Sequence, residues 1–425
     1  MQLWVHKPNL PRAVYWLVSI GFVLRILTRL YTGISAFWIK GYTVYFDLAQ
    51  SIAAGQGFAI DHVATAFRVP LYAIFLAGLT LGRKAFWPIV IAESMIGAGT
   101  VFCAALLARQ MFRGPTAGNA AIFAAAITAV YPYYVVHDTA LQETALFTIL
   151  TLAVVLLAHH VARTGTFFLA ALCGLLLGLD VLTRAPIAPF ALVVPIWLIW
   201  RKRPAPALLC ASLLALTVFP WIWRCYRLTG KVLLTTEQGY ELWNGNNDVL
   251  FHYYPKESVD VSIDAHWRNL TVRDWWELQQ FHGNDALIDN WFRQRGLDYI
   301  RAHPWLTFFN GFRKIAATFD WLPTPRKSLA RTLLHALSFG PVMVLGLWGM
   351  WRRRSRWRED SLIYLLFALF LLVTAVYFGQ TNHRVYLDVY WIVFAAGGLA
   401  ETWALYGNTR AQPIETTQPA CDAVP

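Results

Sequence analysis

Apolar runs separated by short polar segments make up most of the chain. Eleven such runs cover residues 13–32, 70–82, 86–108, 117–136, 139–160, 165–182, 186–200, 205–223, 330–350, 361–379 and 387–406. A helix needs about 20 apolar residues to cross the hydrocarbon core of a bilayer, but the run 70–82 has only 13 residues. We therefore expect that run to be re-entrant or interfacial and the other ten to cross the membrane.

The basic residues orient these ten spans. With ten crossings, the strongest clusters, at Arg109/Arg113, Arg163, 201–203 and 352–358, fall on the side that holds both termini. The positive-inside rule makes that side cytoplasmic, and only Arg83 and Lys84 lie opposite. Residues 133–143, the turn around Arg184, residues 224–329 and the turn 379–390 then all face outward.

Composition supports this interpretation. The chain is 57% hydrophobic and 14% charged, which is typical of an all-α polytopic membrane protein. Its net charge of +12 does not indicate nucleic-acid binding, because the lysines and arginines lie in clusters between apolar runs. The five cysteines show no paired spacing and no CxxC, so neither a disulfide framework nor a metal site is predicted.

Four regions follow from this pattern. Residues 1–223 form an N-terminal transmembrane module with a first outer loop at 33–85, and residues 224–329 form an extracytoplasmic region. Residues 330–407 hold the C-terminal transmembrane helices, and 408–425 form a polar tail predicted to be disordered. In the outer region VLLTT (232–236) predicts a strand, and 285–301 predicts an amphipathic helix resting on the membrane interface.

The first outer loop contains a short amphipathic segment. In a helix at about 100° per residue, four apolar positions share one face, and Asp47 points the opposite way. These positions are Tyr45, Leu48, Ala49 and Ile52. Gly55 and Gly57 end the helix, because glycine takes the left-handed conformation without steric cost. We expect this helix to lie flat on the bilayer with its carboxylate in water; Asp61 and His62 follow in a loop.

The other outward segments carry further candidate residues. Glu143 lies a turn into a span, where an ionised carboxylate needs a cavity or a partner. Asp138 is a helix cap or a site residue, while Thr139 and Gln142 are spaced as a capping box. Two pairs at i, i+4 spacing are either salt bridges or sources of a phosphate-binding arginine. The first pair is Asp180 with Arg184. The second is Arg384 with Asp388, and His383 lies directly before Arg384 in the sequence.

Several stretches in this order resemble the GT-C superfamily of integral-membrane glycosyltransferases. They are YFDLAQSIAAGQGF and TAFRVPLYAIFLAG in the first outer loop, YPYYVVHDTALQETALF, GLDVLTRAP and TTEQGYELWNGNN. Within this superfamily, the chain resembles the bacterial proteins similar to glycosyltransferase family 39. This group includes relatives of the protein O-mannosyltransferases and of the lipid A aminoarabinose transferases. The similarity covers the N-terminal half well and the C-terminal half weakly.

The resemblance implies a GT-C-like bundle of about ten transmembrane helices with amphipathic juxtamembrane helices and a small mixed extracytoplasmic region. It also implies a sugar donor on a polyprenyl phosphate and no cofactor or metal. A carboxylate would act as general base on an acceptor hydroxyl, with inversion, and arginines would bind the lipid phosphate. Glu143 matches a recurrent acid of the second outer loop. Arg184 and Arg384 match phosphate ligands loosely, and Asp61, His62, Arg68 and His383 complete the substrate-binding candidates.

One departure concerns the general base. The acid that relatives carry four residues before the tyrosine matching Tyr45 falls on Gly41 here. Asp47 takes its place on helix-face grounds, and Asp61, Asp138 and Glu143 are the alternatives.

Two other functions stay open: a flippase or transporter for a lipid-linked sugar, and a non-catalytic envelope scaffold. A transporter would carry polar residues along several spans near the midplane, and the spans show few. The expected partners are the lipid-linked donor, a lipid, glycan or protein acceptor, and membrane lipids. The expected location is a bacterial inner membrane, with the site facing the periplasm.

Overall fold

The structure is a computed structural model that describes residues 10–40, 42–322 and 329–410. The described residues form a two-stranded hairpin, β1 (Ala59–Ile60) and β2 (Val63–Ala64), and a series of helices. The helices are α1 (Arg12–Thr32), α2 (Ile34–Lys40), α3 (Thr43–Ala53), α4 (Leu71–Thr80), α5 (Phe86–Met111), α6 (Thr116–Val130), α7 (Pro132–His137), α8 (Thr144–Thr164), α9 (Phe167–Thr183), α10 (Ala188–Trp200), α11 (Pro204–Thr229), α12 (Gln238–Gly245), α13 (Val259–Arg268), α14 (Val272–Gln280), α15 (Asp285–Ala302), α16 (Pro304–Thr318), α17 (Leu329–Arg352), α18 (Trp357–Val376) and α19 (Val385–Arg410).

The predicted all-α polytopic membrane fold is confirmed. Within the described residues, six helices are long and apolar enough to cross a membrane: α1, α5, α8, α11, α17 and α18. The apolar helices α6, α9 and α10 are shorter, at 15, 17 and 13 residues. The run 70–82 forms α4, with only ten residues. The full-length spans are therefore fewer than the ten expected, although a helix occupies each predicted run.

Helix α19 lies at the centre of the bundle and packs against α17, α6, α5 and α8. Small residues allow this close packing, as is usual between membrane helices. A Cβ at Gly397 would lie 1.7 Å from the ring of Phe112, and one at Gly349 would lie 2.0 Å from the carbonyl oxygen of Phe394. The glycines thus let α19 approach its neighbours at backbone distance.

The helix predicted in the first outer loop is present as α3. Its buried residues include Tyr45, Leu48 and Ala49, and Asp47 is exposed, as the periodicity predicts. Gly55 and Gly57 follow with φ of +75° and +76°. The expected burial in the bilayer is wrong, however. The apolar face of α3 packs on α4 and on aromatic residues such as Phe37 and Tyr72, so protein covers it.

The strand predicted in the outer region is absent. Residues 232–236 form no strand; their backbone runs beside the first outer loop, and Thr236 N donates to Ala66 O. Helix α15 has nearly the predicted bounds, but its buried residues are Ala286, Asp289, Phe292 and Gly296. That face packs on α12, whereas Leu287, on the side predicted to face the membrane, is exposed. The interfacial placement of this helix stays a prediction. Residues 408–410 continue α19, and the rest of the predicted tail lies outside the described residues.

Tertiary contacts also decide the pairing of charges. Arg384 and Asp388 form the predicted i, i+4 salt bridge at 2.9 Å. The predicted Asp180–Arg184 pair does not form, because Asp180 accepts a hydrogen bond from Thr151 at 3.0 Å and Arg184 pairs elsewhere. The capping box is absent as well: Arg29 donates to Thr139, and the side chain of Gln142 donates to the His137 carbonyl.

Candidate active site

Two ion pairs meet at one end of the helical bundle. Arg184 Nε lies 3.2 Å from Glu143 Oε1, and Arg68 forms a salt bridge with Glu237. We call these four residues the outer charge cluster. They come from four segments that are distant in sequence, and the sequence places each of these segments on the same predicted side of the membrane.

Every residue of the cluster lies at or next to a helix end. Glu143 is the N-cap of α8 and Glu237 the N-cap of α12, while Arg184 follows the last residue of α9. Arg68 precedes α4 by three residues. Pro70 and Pro186 favour these breaks, because proline disfavours a helical conformation of the residue before it. Helix termini leave backbone groups unpaired, so these positions suit a polar site at the membrane surface.

Glu241 lies one turn after Glu237 on α12. Burial and the negative charge of Glu237 raise the pKa of Glu241 to about 8, so this carboxyl is protonated at neutral pH. With Glu241 neutral, two arginines face two carboxylates in the cluster. Such a charge-balanced group tolerates partial burial much better than an unpaired charge.

His383 lies beside the same arginines. Burial, with the positive charges of Arg184 and Arg68 nearby, lowers the pKa of His383 to about 3. Its imidazole is therefore neutral at physiological pH and can donate or accept a hydrogen bond. Tyr45 of α3 is also close, since the guanidinium of Arg68 lies 5.7 Å from the centre of its ring. These two residues supply neutral polar atoms at the edge of the cluster.

Some polar atoms of the cluster have no hydrogen-bond partner among the described residues. Oε2 of Glu143 and Nε of Arg68 are buried and have no hydrogen-bond partner in the described part of the chain. The side chains of Arg68 and Arg184 are 24% and 22% exposed, so both are partly open to the surface. A buried polar atom without a partner is costly, and at an accessible site it points to a ligand.

The structure thus brings together four residues that the sequence predicts for the site: Glu143, Arg68, Arg184 and His383. It separates the others. Asp47 is exposed on α3 next to Lys84 and Asp61. Asp61 and His62 form the exposed turn between β1 and β2, with φ of +49° and +67°. Gly41, the position of the missing family acid, lies outside the described residues.

The remaining two candidates lie in buried ion pairs. Asp138 pairs with Arg25 of α1 at 2.8 Å, and both side chains are almost fully buried. Arg384 bonds to both oxygens of Asp388 and donates to the carbonyl of Thr318. Its guanidinium also stacks 3.3 Å from the ring centre of Phe339. Arg384 is fully buried, which suits a structural role, although its Nη2 has no hydrogen-bond partner in the described part of the chain.

Sequence reasoning missed Glu237 and Glu241. Both lie in TTEQGYELWNGNN, a stretch quoted for its family resemblance, and their i, i+4 spacing puts them on one face of a helix. That spacing is the signal that could have singled them out. In the described residues no group of three or more His, Cys, Asp or Glu side chains could hold a metal ion. That the protein needs no metal remains a prediction.

Residues 68–223 match the family of dolichyl-phosphate-mannose-protein mannosyltransferases. The matched segment begins at Arg68 and includes Glu143 and Arg184. The search of curated proteins found no match to this sequence.

Solved structures extend the similarity to the fold of almost the whole chain. The oligosaccharyltransferase of Archaeoglobus fulgidus, tethered to an acceptor peptide, matches 93% of this chain and 51% of its own, with 14% identity and a TM-score of 0.54. The same enzyme with zinc and sulfate matches 93% and 50%, with 16% identity and a TM-score of 0.53. The chain thus spans about half the length of these two. ArnT from Cupriavidus metallidurans, bound to undecaprenyl phosphate, matches 92% of this chain and 78% of its own, with 12% identity and a TM-score of 0.43.

The resemblance to the GT-C superfamily that the sequence predicts is therefore confirmed: this chain has the fold of the GT-C membrane glycosyltransferases.

Proposed function

We propose that this protein is a membrane glycosyltransferase that moves a sugar from a polyprenyl-phosphate donor to an acceptor hydroxyl on the extracytoplasmic side. The observation that carries the proposal is the outer charge cluster, where two accessible arginines and two carboxylates meet at one end of a GT-C-type bundle. Both substrates of such a reaction would meet there, the donor from the bilayer and the acceptor from the aqueous side.

Arg68 and Arg184 would bind the phosphate of the donor. Each uses part of its guanidinium fork on a carboxylate, and the remaining N–H groups are free to donate to phosphate oxygens. As the bond between the anomeric carbon and the phosphate oxygen breaks, negative charge develops on the leaving phosphate. Fixed positive charges at that position stabilise the transition state.

Glu143 is the general base in this proposal. Its Oε1 faces Arg184, and its buried Oε2 lacks a partner, so Oε2 can accept the hydrogen bond of an acceptor hydroxyl. The hydroxyl oxygen attacks the anomeric carbon from the side opposite the phosphate, and its proton passes to Glu143 as the glycosidic bond forms. The configuration inverts, and the lipid phosphate leaves. Asp47, the base expected from the sequence, has no such arginine partner.

The test is sugar transfer in membranes that contain the full-length protein and a radiolabelled polyprenyl-phosphate sugar pool. We expect Glu143→Gln to lower the transfer rate by about 10²–10⁴-fold, the usual contribution of a general base, with normal expression. Asp47→Asn is the matched control, because it removes a carboxylate from the same outer face but outside the cluster, and it should keep near-normal transfer.

The reverse pattern, with loss in Asp47→Asn and normal transfer in Glu143→Gln, would return the base to α3 and overturn our assignment. If the wild-type protein transferred no sugar from any polyprenyl-phosphate pool, the glycosyltransferase proposal itself would fail.

A further inference from the structure

We propose that the outer region carries a binding groove for an oligosaccharide, and that this groove holds the acceptor. The groove has a volume of about 1030 Å³, at the top of the usual range of about 300–1,000 Å³ for ligand pockets. It runs between the end of α12, α13 and one face of α15, and we call it the outer groove. Its role as acceptor site depends on the proposed function, whereas its capacity to bind a glycan does not.

The lining of the outer groove combines side-chain amides with aromatic rings. Five of its sixteen lining residues carry amides: Asn246, Asn247, Asn269, Asn290 and Gln294. Four aromatic residues, Trp243, Phe281, Trp291 and Tyr299, line it as well. Sugars present many hydroxyls, which both donate and accept, next to apolar C–H faces. Amides serve the hydroxyls because they offer both functions, and aromatic rings serve the C–H faces.

Part of this polar lining has no partner within the protein. Asn246 and Asn247 use their amides to cap the end of α12. By contrast, the side chains of Asn290 and Gln294 on α15 form no hydrogen bond with another described residue. Nε2 of His266 is buried in the wall and also lacks a partner. Its ring lies 4.0 Å from that of Trp243, which fixes its orientation, so three defined polar groups are left for a ligand.

The lining favours a glycan over a peptide or a lipid. Peptides commonly add a strand to a free sheet edge or place apolar anchors in pockets. The described residues of the outer region contain no strand. Nine of the sixteen residues that line the groove have polar side chains, among them Asp248 and Asp298. A lipid chain would need a continuous apolar surface. Neutral hydroxyls can use amides and carboxylates together, so an oligosaccharide fits best.

Helix α12 connects the groove to the outer charge cluster. Glu237 and Glu241 belong to the cluster end, and Trp243 and Asn246 belong to the groove. Asn246 follows Glu241 by five positions, which is about 7.5 Å along the helix axis and about 140° around it. An oligosaccharide of a few units therefore has to curve around the end of α12 to bring its terminal hydroxyl toward Glu143.

Close packing makes this connection rigid. Gly239 N donates to Oδ1 of Asp289 at 2.6 Å, and a Cβ on Gly239 would lie 2.0 Å from the Asp289 carbonyl oxygen. Helices α12 and α15 thus meet at backbone distance, and the two walls of the groove keep their spacing. A preformed groove binds its ligand without an ordering cost.

The experiment uses the full-length protein in lipid nanodiscs and an array of defined oligosaccharides of two to six units, followed by affinity measurement on the best ligand. We expect the double variant Asn290→Ala/Gln294→Ala to weaken binding by about tenfold, because two hydrogen bonds to neutral groups are lost. Gln279→Ala is the matched control, since it removes an exposed amide from α14 outside the groove. Unchanged unfolding temperatures would show that all variants are folded.

Three results would overturn the inference: no oligosaccharide binds the wild-type protein, the double variant binds as well as wild type, or a peptide library binds in the groove where glycans do not. The proposed function is tested separately. Glu143→Gln should keep most of the oligosaccharide affinity, because the glutamine oxygen still accepts a hydrogen bond, and should fail in transfer. The double variant should raise the KM for the acceptor with little change in kcat. If glycan binding holds and wild type transfers no sugar, the groove stands and the proposed function fails.

Discussion

Arginine–carboxylate pairs occur both in the buried part of the helical bundle and at its outer end, and they differ in how much of their surface solvent can reach. Inside, Arg384 and Asp388 are fully buried and joined by two hydrogen bonds. Arg353 and Asp360 likewise share two hydrogen bonds at 2.8–2.9 Å. At the outer end, Arg184 touches only one oxygen of Glu143, and its side chain is 22% exposed.

The difference separates structural ion pairs from a candidate binding site. A buried pair with two hydrogen bonds cannot exchange its carboxylate for a ligand without exposing a charge to the apolar interior. The partly exposed Arg184 can exchange its single contact with Glu143 for a ligand at low cost, because solvent and the ligand replace the lost contact. An arginine and a carboxylate can therefore form either a structural pair, as Arg384 and Asp388 do, or part of a candidate binding site, as Arg184 and Glu143 do.

The largest expected effect on stability comes from breaking a buried pair. Arg384→Met leaves Asp388 as an uncompensated charge, which should lower the free energy of unfolding by about 3–5 kcal/mol. The double variant Arg384→Met/Asp388→Leu removes both charges and should recover most of that loss. Thermal unfolding in detergent micelles measures both variants. If Arg384→Met were as stable as wild type, the structural interpretation of this pair would be wrong.

A smaller effect, on activity alone, is expected for Arg68→Lys. Lysine keeps the charge but loses the planar fork that contacts Glu237 and, in the proposed function, would also donate to a phosphate. We expect the KM for the polyprenyl-phosphate donor to rise by about tenfold, as for the loss of one charge-assisted hydrogen bond, with little change in unfolding temperature. Arg273→Lys, at an exposed arginine of α14, is the control. An unchanged donor KM in Arg68→Lys would remove this residue from the phosphate site.

The smallest effect concerns Glu241 and depends on pH. Burial and the charge of Glu237 raise its folded-state pKa from 4.5 to about 8, so the folded protein holds this proton more tightly than the unfolded chain. The resulting stability is fully present below pH 4.5 and is lost as pH rises through 8. Glu241→Gln should thus unfold close to the wild-type temperature at pH 5 and at a higher temperature than wild type at pH 9, because glutamine has no proton to lose.

The control is Glu257→Gln, at an exposed glutamate of the same region, whose difference from wild type should not change with pH. A Glu241→Gln difference that stayed constant from pH 5 to pH 9 would mean that Glu241 is not protonated in the cluster. The charge balance of the outer charge cluster would then need another explanation.

Some features of the site follow from local sequence alone. The orientation of Asp47 on α3 and the glycines that end this helix follow from a period of 3.6 residues and from glycine's freedom at positive φ. The short length of the run 70–82 excludes it as a span. Glu143 is predicted for the site because an ionised carboxylate inside a span is costly, and Arg184 because an outward guanidinium suits a phosphate. Arg68 and His383 rest on the family resemblance.

Other features required the packed structure. The choice of Glu143 over Asp180 as partner of Arg184 depends on how α8 and α9 end beside each other. The exclusion of Asp138 depends on α1, whose Arg25 lies 113 residues away in the sequence. Glu237 enters the site only because α12 packs on α15 and its N-terminus meets the first outer loop.

The sequence by itself determined that the protein is a helical membrane protein, where its apolar runs lie, and which polar segments share a side. Hydropathy and charge are properties of each residue, so the hydropathy and charge of a segment are the same however the helices pack. Only the tertiary structure decided which arginine meets which carboxylate, and which faces of α3 and α15 are covered by protein. Those choices depend on distances of a few ångströms between segments far apart in sequence, and the packing of whole helices sets such distances.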